Sequence, residues 1–196
     1  PKFARAQIEL GTLYIQSQRV SEGLPHLRAA TRQQPDDPMV WLALARGYLA
    51  AGNQDEADRL CQHAIELDPA APAGYQFLGA LLLNRGETAK AVACFQEGLR
   101  RSPDDVEIHR ALGVIFVTVG ELGAAEFHFQ SILRQQPQNA DALYNMGALR
   151  LRQAKPVEAI ALFRQAIAAR PNFFAALTSL AAILADAGQT AEATEL

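Results

Sequence analysis

Residues 38–71 read PMVWLALARGYLAAGNQDEADRLCQHAIELDPAA. Asp37 precedes Pro38, which is a side-chain acceptor at a helix entry followed by a proline at the first helical position. Gly52 supplies a turn fifteen residues into the stretch, and Pro69 ends a second helix because the residue before a proline avoids the α region. Between these marks stand a large apolar residue followed by a small one, Leu44 and Ala45, then a second small residue, Ala57. The stretch reads as helix, turn, helix, with the small residues letting two antiparallel helices come close.

Outward from this stretch the pattern repeats. Pro1, Pro35, Pro69, Pro103, Pro137 and Pro171 stand at a constant spacing of 34 residues. A fixed period between about 20 and 50 residues signals a repeat architecture. Starting three residues beyond each proline divides the chain into repeats 4–37, 38–71, 72–105, 106–139 and 140–173, and a partial repeat 174–196. The seventh position is large in all of them: Leu10, Leu44, Leu78, Leu112, Met146, Leu180. The eighth is small (Gly11, Ala45, Gly79, Gly113, Gly147, Ala181), as is the twentieth (Gly23, Ala57, Ala91, Ala125, Ala159, Ala193). The twenty-fourth is bulkier in most repeats: Leu27, Cys61, Phe95, Phe129, Phe163. Gly52, Gly86, Gly120 and Gly188 hold the turn, and Asp105 and Asn139 occupy the helix-entry slot of Asp37.

Trp41, Leu44, Ala45, Tyr48, Ala57 and Pro69 resemble the signature of the tetratricopeptide repeat family, and the resemblance covers essentially the whole chain. It implies an all-α fold, a right-handed α-solenoid of stacked helix–turn–helix units forming one array over residues 1–196. It also implies that the first helix of each repeat (helix A) lines a concave groove while helix B faces outward. Departures are local. His109 and Leu143 replace the first aromatic, Cys61 replaces the phenylalanine of helix B, Gln18 and Ala154 replace the turn glycine, and Pro25 falls inside a helix where it removes a hydrogen bond.

Composition narrows the function classes. The chain of 196 residues is 49% hydrophobic and 20% charged, with a formal net charge of −3. That balance offers no basic stripe for nucleic acid. The longest apolar runs, Leu78–Leu83 and Leu177–Ala185, are too short or too interrupted to insert into a membrane. Cys61 and Cys94 lack motif spacing and read as small, reduced, buried hydrophobes. His26, Cys94 and His128 share the twenty-third position, but stacked helices about 8–10 Å apart set them too far from one another to ligate one metal. Phosphate loops, paired-cysteine or His-Glu-x-x-His sites and nucleophile patterns are missing, so no catalytic residue, metal or cofactor is expected. The first residue is Pro1, not Met, and we read the chain as a piece of a longer protein.

Function is therefore expected in the groove, as a non-catalytic scaffold for protein–protein interaction. The resemblance assigns the groove to helix-A positions two, five, six, nine and thirteen. The candidate peptide-binding residues are Leu42, Arg46, Gln76, Phe77, Arg110, Tyr144 and Asn145. Exposed apolar side chains beside arginine suit a partner peptide or helix that is both acidic and apolar. The alternative is that the apolar residues pack against the next A helix and the arginines are only solvated. Some family members clamp a C-terminal carboxylate with Lys, Asn and Arg; here those places hold Ile8, Thr12, Ala43, Ala73 and Phe77, so that clamp is not expected. An asparagine ladder at the sixth position is also missing, with Asn145 alone there. Two rival readings remain. One is a targeting region of a larger bacterial enzyme or polysaccharide or secretion assembly, similar to glycosyltransferases and sulfotransferases; the Ala168-Ala169-Arg170-Pro171 style points to a GC-rich bacterial genome. The other is self-association through the truncated C-terminal repeat, where Leu177, Leu180, Ile183 and Leu184 lose cover and residues beyond Gly188 fray.

Overall fold

The computed structural model describes residues 2–186. Among the described residues the chain forms eleven α-helices and no strand. They are α1 (Lys2–Gln16), α2 (Val20–Gln33), α3 (Pro38–Ala50), α4 (Gln54–Leu67), α5 (Pro72–Asn84), α6 (Thr88–Arg101), α7 (Val106–Val119), α8 (Leu122–Gln135), α9 (Ala140–Arg152), α10 (Pro156–Ala169) and α11 (Phe174–Asp186). The chain divides into two compact units, Pro1–Pro103 and Asp104–Leu196. In the first, α1 packs on α2, α3 on α4 and α5 on α6, and α2 and α4 cover the A helices that follow them. In the second, α7 packs on α8 and α9 on α10, while α8 and α10 cover α9 and α11. All-α helical-pair stacking is thus the architecture of each unit.

Helix starts follow from local chemistry. The N–H of Met39 donates to Asp37 Oδ1 at 2.8 Å, that of Ile108 to Asp105 Oδ1 at 2.8 Å and that of Ala142 to Asn139 Oδ1 at 2.9 Å. Each bond satisfies one of the orphan donors of a first turn. Helix ends require a left-handed residue, and Gly52, Gly86 and Gly120 adopt φ of 78°, 75° and 86°. Gln18 and Ala154, which stand in the same slot, are forced into the same region at φ 61° and 57°. The turn is set by the packing of the two helices it joins, and the side chain there accepts the strain. Pro25 lies inside α2, and the helix nevertheless runs on to Gln33.

The helix-pair contact is a size match between the eighth and twenty-fourth positions. A methyl added to Gly79 would lie 2.4 Å from the ring of Phe95, one on Gly113 2.4 Å from Phe129, and one on Gly147 2.7 Å from Phe163. On Gly11 it would lie 2.7 Å from Leu27. Carbon atoms in ordinary contact stand about 3.5–4.0 Å apart, so these glycines are the space the rings occupy. The equivalent pair in α3 and α4 is Ala45 and Cys61, both fully buried. The smaller thiol leaves room for the methyl.

Partly buried arginines tie neighbouring helices through ion pairs. Arg85, at the end of α5, lies 2.6 Å from Asp58 on α4. Arg150 on α9 lies 2.7 Å from Glu126 on α8 and 2.8 Å from Glu158 on α10. Arg150 and Gln153 hold the Glu126 carboxyl down at about 2, well below its ordinary value. Burial pushes the Cys61 thiol up to about 12 and Cys94 to about 11, and both cysteines are free. Cys94 is only half-buried, less than expected. The expected uncovering of α11 is corrected in part: Leu180 and Leu184 are buried against Ala159 and Phe163, because α10 covers them, while Leu177 and Ile183 are half-buried. The expected fraying beyond Gly188 lies outside the described residues.

Candidate functional site

In the first unit the A-helix face is built by α1, α3 and α5. Between α1 and α3 lies an apolar cavity of about 310 Å³, lined by Ile8, Ile15, Leu27, Met39 and Leu42, with Thr12 and Arg46 among its polar members. Leu42 differs from its expected exposure. It is 3% exposed and contributes to the cavity wall, because the neighbouring A helix closes over it. Arg46 is exposed, and its guanidinium stands 5.4 Å from the centroid of the half-buried Phe77 ring on α5. This cation–π contact brings together two candidates from successive A helices and holds a positive charge over an aromatic face. Gln76, one residue before Phe77, is half-buried.

In the second unit the corresponding face is built by α7, α9 and α11. Arg110 is exposed but engaged: its Nη2 donates to Glu107 Oε2 at 2.7 Å and its Nε at 3.0 Å. Tyr144 departs from the expectation of a ring free of packing duty. It lies 5.6 Å from the Phe163 ring and 5.2 Å from the Phe173 ring and closes two core clusters. Asn145 beside it is half-buried. Arg152, at the thirteenth position, donates from Nη1 to the carbonyl of Val117 at 3.0 Å and straps α9 to α7. Thus Arg46 and Phe77 are brought together in the first unit, whereas Arg110 and Tyr144 serve an ion pair and a core in the second.

Sequence reasoning missed a polar layer between the fourth and twenty-third positions of one repeat. His26 Nδ1 lies 2.7 Å from Gln7 Oε1, Cys94 Sγ lies 3.7 Å from the carbonyl of Tyr75, and His109 Nδ1 lies 2.8 Å from His128 Nδ1. The signal was available as two polar residues nineteen apart in the first and fourth repeats. Among the described residues no group of three or more His, Cys, Asp or Glu stands close enough to hold a metal ion, and no helix is long and apolar enough to cross a membrane.

Helix pairs of this kind, with glycine or alanine seated under a bulky residue of the partner helix, define a helical-repeat protein. Models of the tetratricopeptide repeat match residues 48–115 and residues 8–72, 118–172 and 144–196, and the chain belongs to that family. It is 32% identical over 108 residues to the Hsp70-Hsp90 organizing protein of Triticum aestivum, a match over 55% of this chain and 19% of that protein. The chain therefore spans about a fifth of the length of that relative. Among solved structures it is similar to pilF of Pseudomonas aeruginosa, with a TM-score of 0.78 and 19% identity over 98% of this chain and 89% of the other. It is also similar to YrrB, a TPR protein with an unusual peptide-binding site, with a TM-score of 0.63 and 20% identity over 88% and 89%. At these identities the two structures speak for the fold alone.

Proposed function

We propose that this chain is a non-catalytic scaffold that holds an extended or helical segment of a partner protein on its A-helix faces. The partner segment carries apolar and acidic side chains. The observation that carries this reading is the 310 Å³ apolar cavity between α1 and α3, with Arg46 on its wall and Phe77 beside that arginine. An apolar side chain inserted there loses water, and a neighbouring carboxylate finds the guanidinium. The organizing function in the name of the Triticum aestivum relative supports protein segments as the ligand class. The places of a terminal-carboxylate clamp hold Ile8, Thr12, Ala43, Ala73 and Phe77, which favours recognition of side chains over recognition of a chain end. The uninterrupted proline period supports reading residues 1–196 as one array.

The test is a peptide array probed with the wild type, Phe77→Ala, Arg46→Ala and their double variant, with melting temperature as control. Acidic-apolar peptides are expected to bind the wild type. Each single variant is expected to lose binding by about tenfold or more, the scale of an aromatic or arginine hot spot. Unchanged binding in the double variant refutes the site, and unfolding of Phe77→Ala assigns that ring to the core.

A further inference from the structure

Two repeats fasten the loop before their A helix with an aromatic donor. The Trp41 Nε1–H donates to the Pro35 carbonyl at 2.6 Å, and the Tyr75 hydroxyl donates to the Pro69 carbonyl at 3.4 Å. Both rings stand at the fourth position of their repeat, six residues after the proline whose oxygen they hold. Trp41 also meets the ring of His63, at the twenty-sixth position, edge-on at 4.5 Å. In repeat 140–173 the fourth position is Leu143, which has no donor and is buried with Ala166 and Ala176. The loop there keeps its turn. The N–H of Asn139 donates to the Gln136 carbonyl at 3.0 Å, as that of Asp37 does to Gln34 at 3.3 Å and that of Ala71 to Asp68 at 3.2 Å. The Pro137 carbonyl thus stands in the same turn as those of Pro35 and Pro69, yet among the described residues it accepts no hydrogen bond.

A cavity of about 270 Å³ lies where the ring is missing, lined by Pro137, Gln138, Leu143, Gln165, Ala168 and Ala169. Gln165 occupies the position of His63, and Ala168 and Ala169 those of Glu66 and Leu67. Loss of the ring and the small size of the two alanines open the same place. It combines apolar walls with one backbone acceptor, which the chain itself satisfies in repeat 38–71 with an indole. An indole is flat and apolar, and its N–H can only donate. We propose that this cavity receives the side chain of a tryptophan from a partner protein, its Nε1–H donating to the Pro137 carbonyl as Trp41 donates to Pro35. The phenol of Tyr75 holds its proline oxygen at a longer distance than the indole of Trp41 does, which favours tryptophan over tyrosine. Gln138 and Gln165 are exposed, and among the described residues their amides make no hydrogen bond. Each amide carries donors and an acceptor, which suit the peptide groups flanking the inserted ring. These two amides select a protein segment over free indole. The fourth position is not a groove position, so the site does not rest on the contact of Arg46 with Phe77.

Titration of the isotope-labelled full chain, followed by NMR, tests the site. The probe is a capped pentapeptide with tryptophan between two pairs of glycines. It is expected to shift the resonances of Gln138, Leu143 and Ala168 saturably. The same peptide methylated on the indole nitrogen lacks the donor and is expected to bind about fivefold more weakly, the effect of one hydrogen bond. Free indole, which leaves both glutamine amides unengaged, is expected to bind at least about fivefold more weakly than the peptide. Leucine in place of the tryptophan is expected to give no saturable shift. Equal binding of the methylated peptide, of free indole or of the leucine peptide overturns the proposal, as does a response confined to other residues. Leu143→Trp copies Trp41 and is expected to seat its own ring in the cavity, keep the melting temperature and abolish the response to the peptide. A folded Leu143→Trp protein that binds the peptide as the wild type does also overturns the proposal. If that variant fails to fold, the four probes on the wild type decide.

Discussion

The size match between the eighth and twenty-fourth positions can be broken and repaired within one helix pair. In Gly113→Ala the new methyl would lie 2.4, 2.8 and 2.9 Å from three ring atoms of Phe129. Ordinary contact needs about 3.5 Å or more, so the ring must retreat by about 1 Å. It has nowhere to go, being fully buried among Ala125, Ile132, Ala142, Met146 and Leu149. Overpacking of this kind costs about 3 kcal/mol, the upper end of its usual range, and the helical preference of alanine over glycine returns about 1 kcal/mol. Net destabilisation of about 2 kcal/mol is expected. Phe129→Cys alone opens a cavity and costs about 3 kcal/mol. The double variant reproduces Ala45 and Cys61 of α3 and α4. It removes the clash and keeps the helical gain, so its loss should be about 2 kcal/mol instead of the additive 5. Urea unfolding of the four proteins, followed by circular dichroism, measures the coupling. Additivity within about 0.5 kcal/mol, or a Gly113→Ala protein more stable than the wild type, would refute the reasoning.

Other outcomes follow from the same geometry. Ala154→Gly should raise stability by about 1 kcal/mol in thermal melting, because it relieves a left-handed alanine; a loss of stability would show that the methyl packs usefully there. Glu126 is lowered on folding by Arg150, so its contribution is complete above about pH 4.5 and is lost as pH falls toward 2; acid titration should show Arg150→Met abolishing this limb. In binding assays Arg110→Ala should weaken an acidic peptide less than Arg46→Ala does, since Glu107 already neutralises Arg110; the reverse order would move the contact to the second unit.

The fold was legible because its determinants are local and recur. The helix starts at Pro38, Pro72, Val106, Ala140 and Phe174 follow from the caps and prolines of a fixed period. The left-handed turn at Gln18 and Ala154 was legible from position alone, although neither residue prefers it. Among the candidate groove residues, the meeting of Arg46 with Phe77 was legible from their places on successive A helices. The burial of Leu42 and the packing of Tyr144 were not legible, because helix-A positions facing the groove also face the neighbouring A helix, and which neighbour wins depends on side-chain size across the contact. A ring as large as Tyr144 reaches Phe163 and Phe173 and becomes core. The imidazole pair escaped because its members are nineteen residues apart and meet only once the hairpin has closed.

The seating of ring under glycine also bears on how such a gene can recombine. An unequal crossover that exchanges whole repeats carries each small residue together with its own bulky partner and keeps every pair matched. A crossover inside the turn separates them. Joining the first helix of residues 38–71 to the second helix of any of the three repeats that follow would set the methyl of Ala45 where Phe95, Phe129 or Phe163 has its ring. The reciprocal product would leave a void over Cys61. Selection then acts on helix pairs as indivisible cassettes, and viable exchange points fall between repeats, near the prolines, not within them.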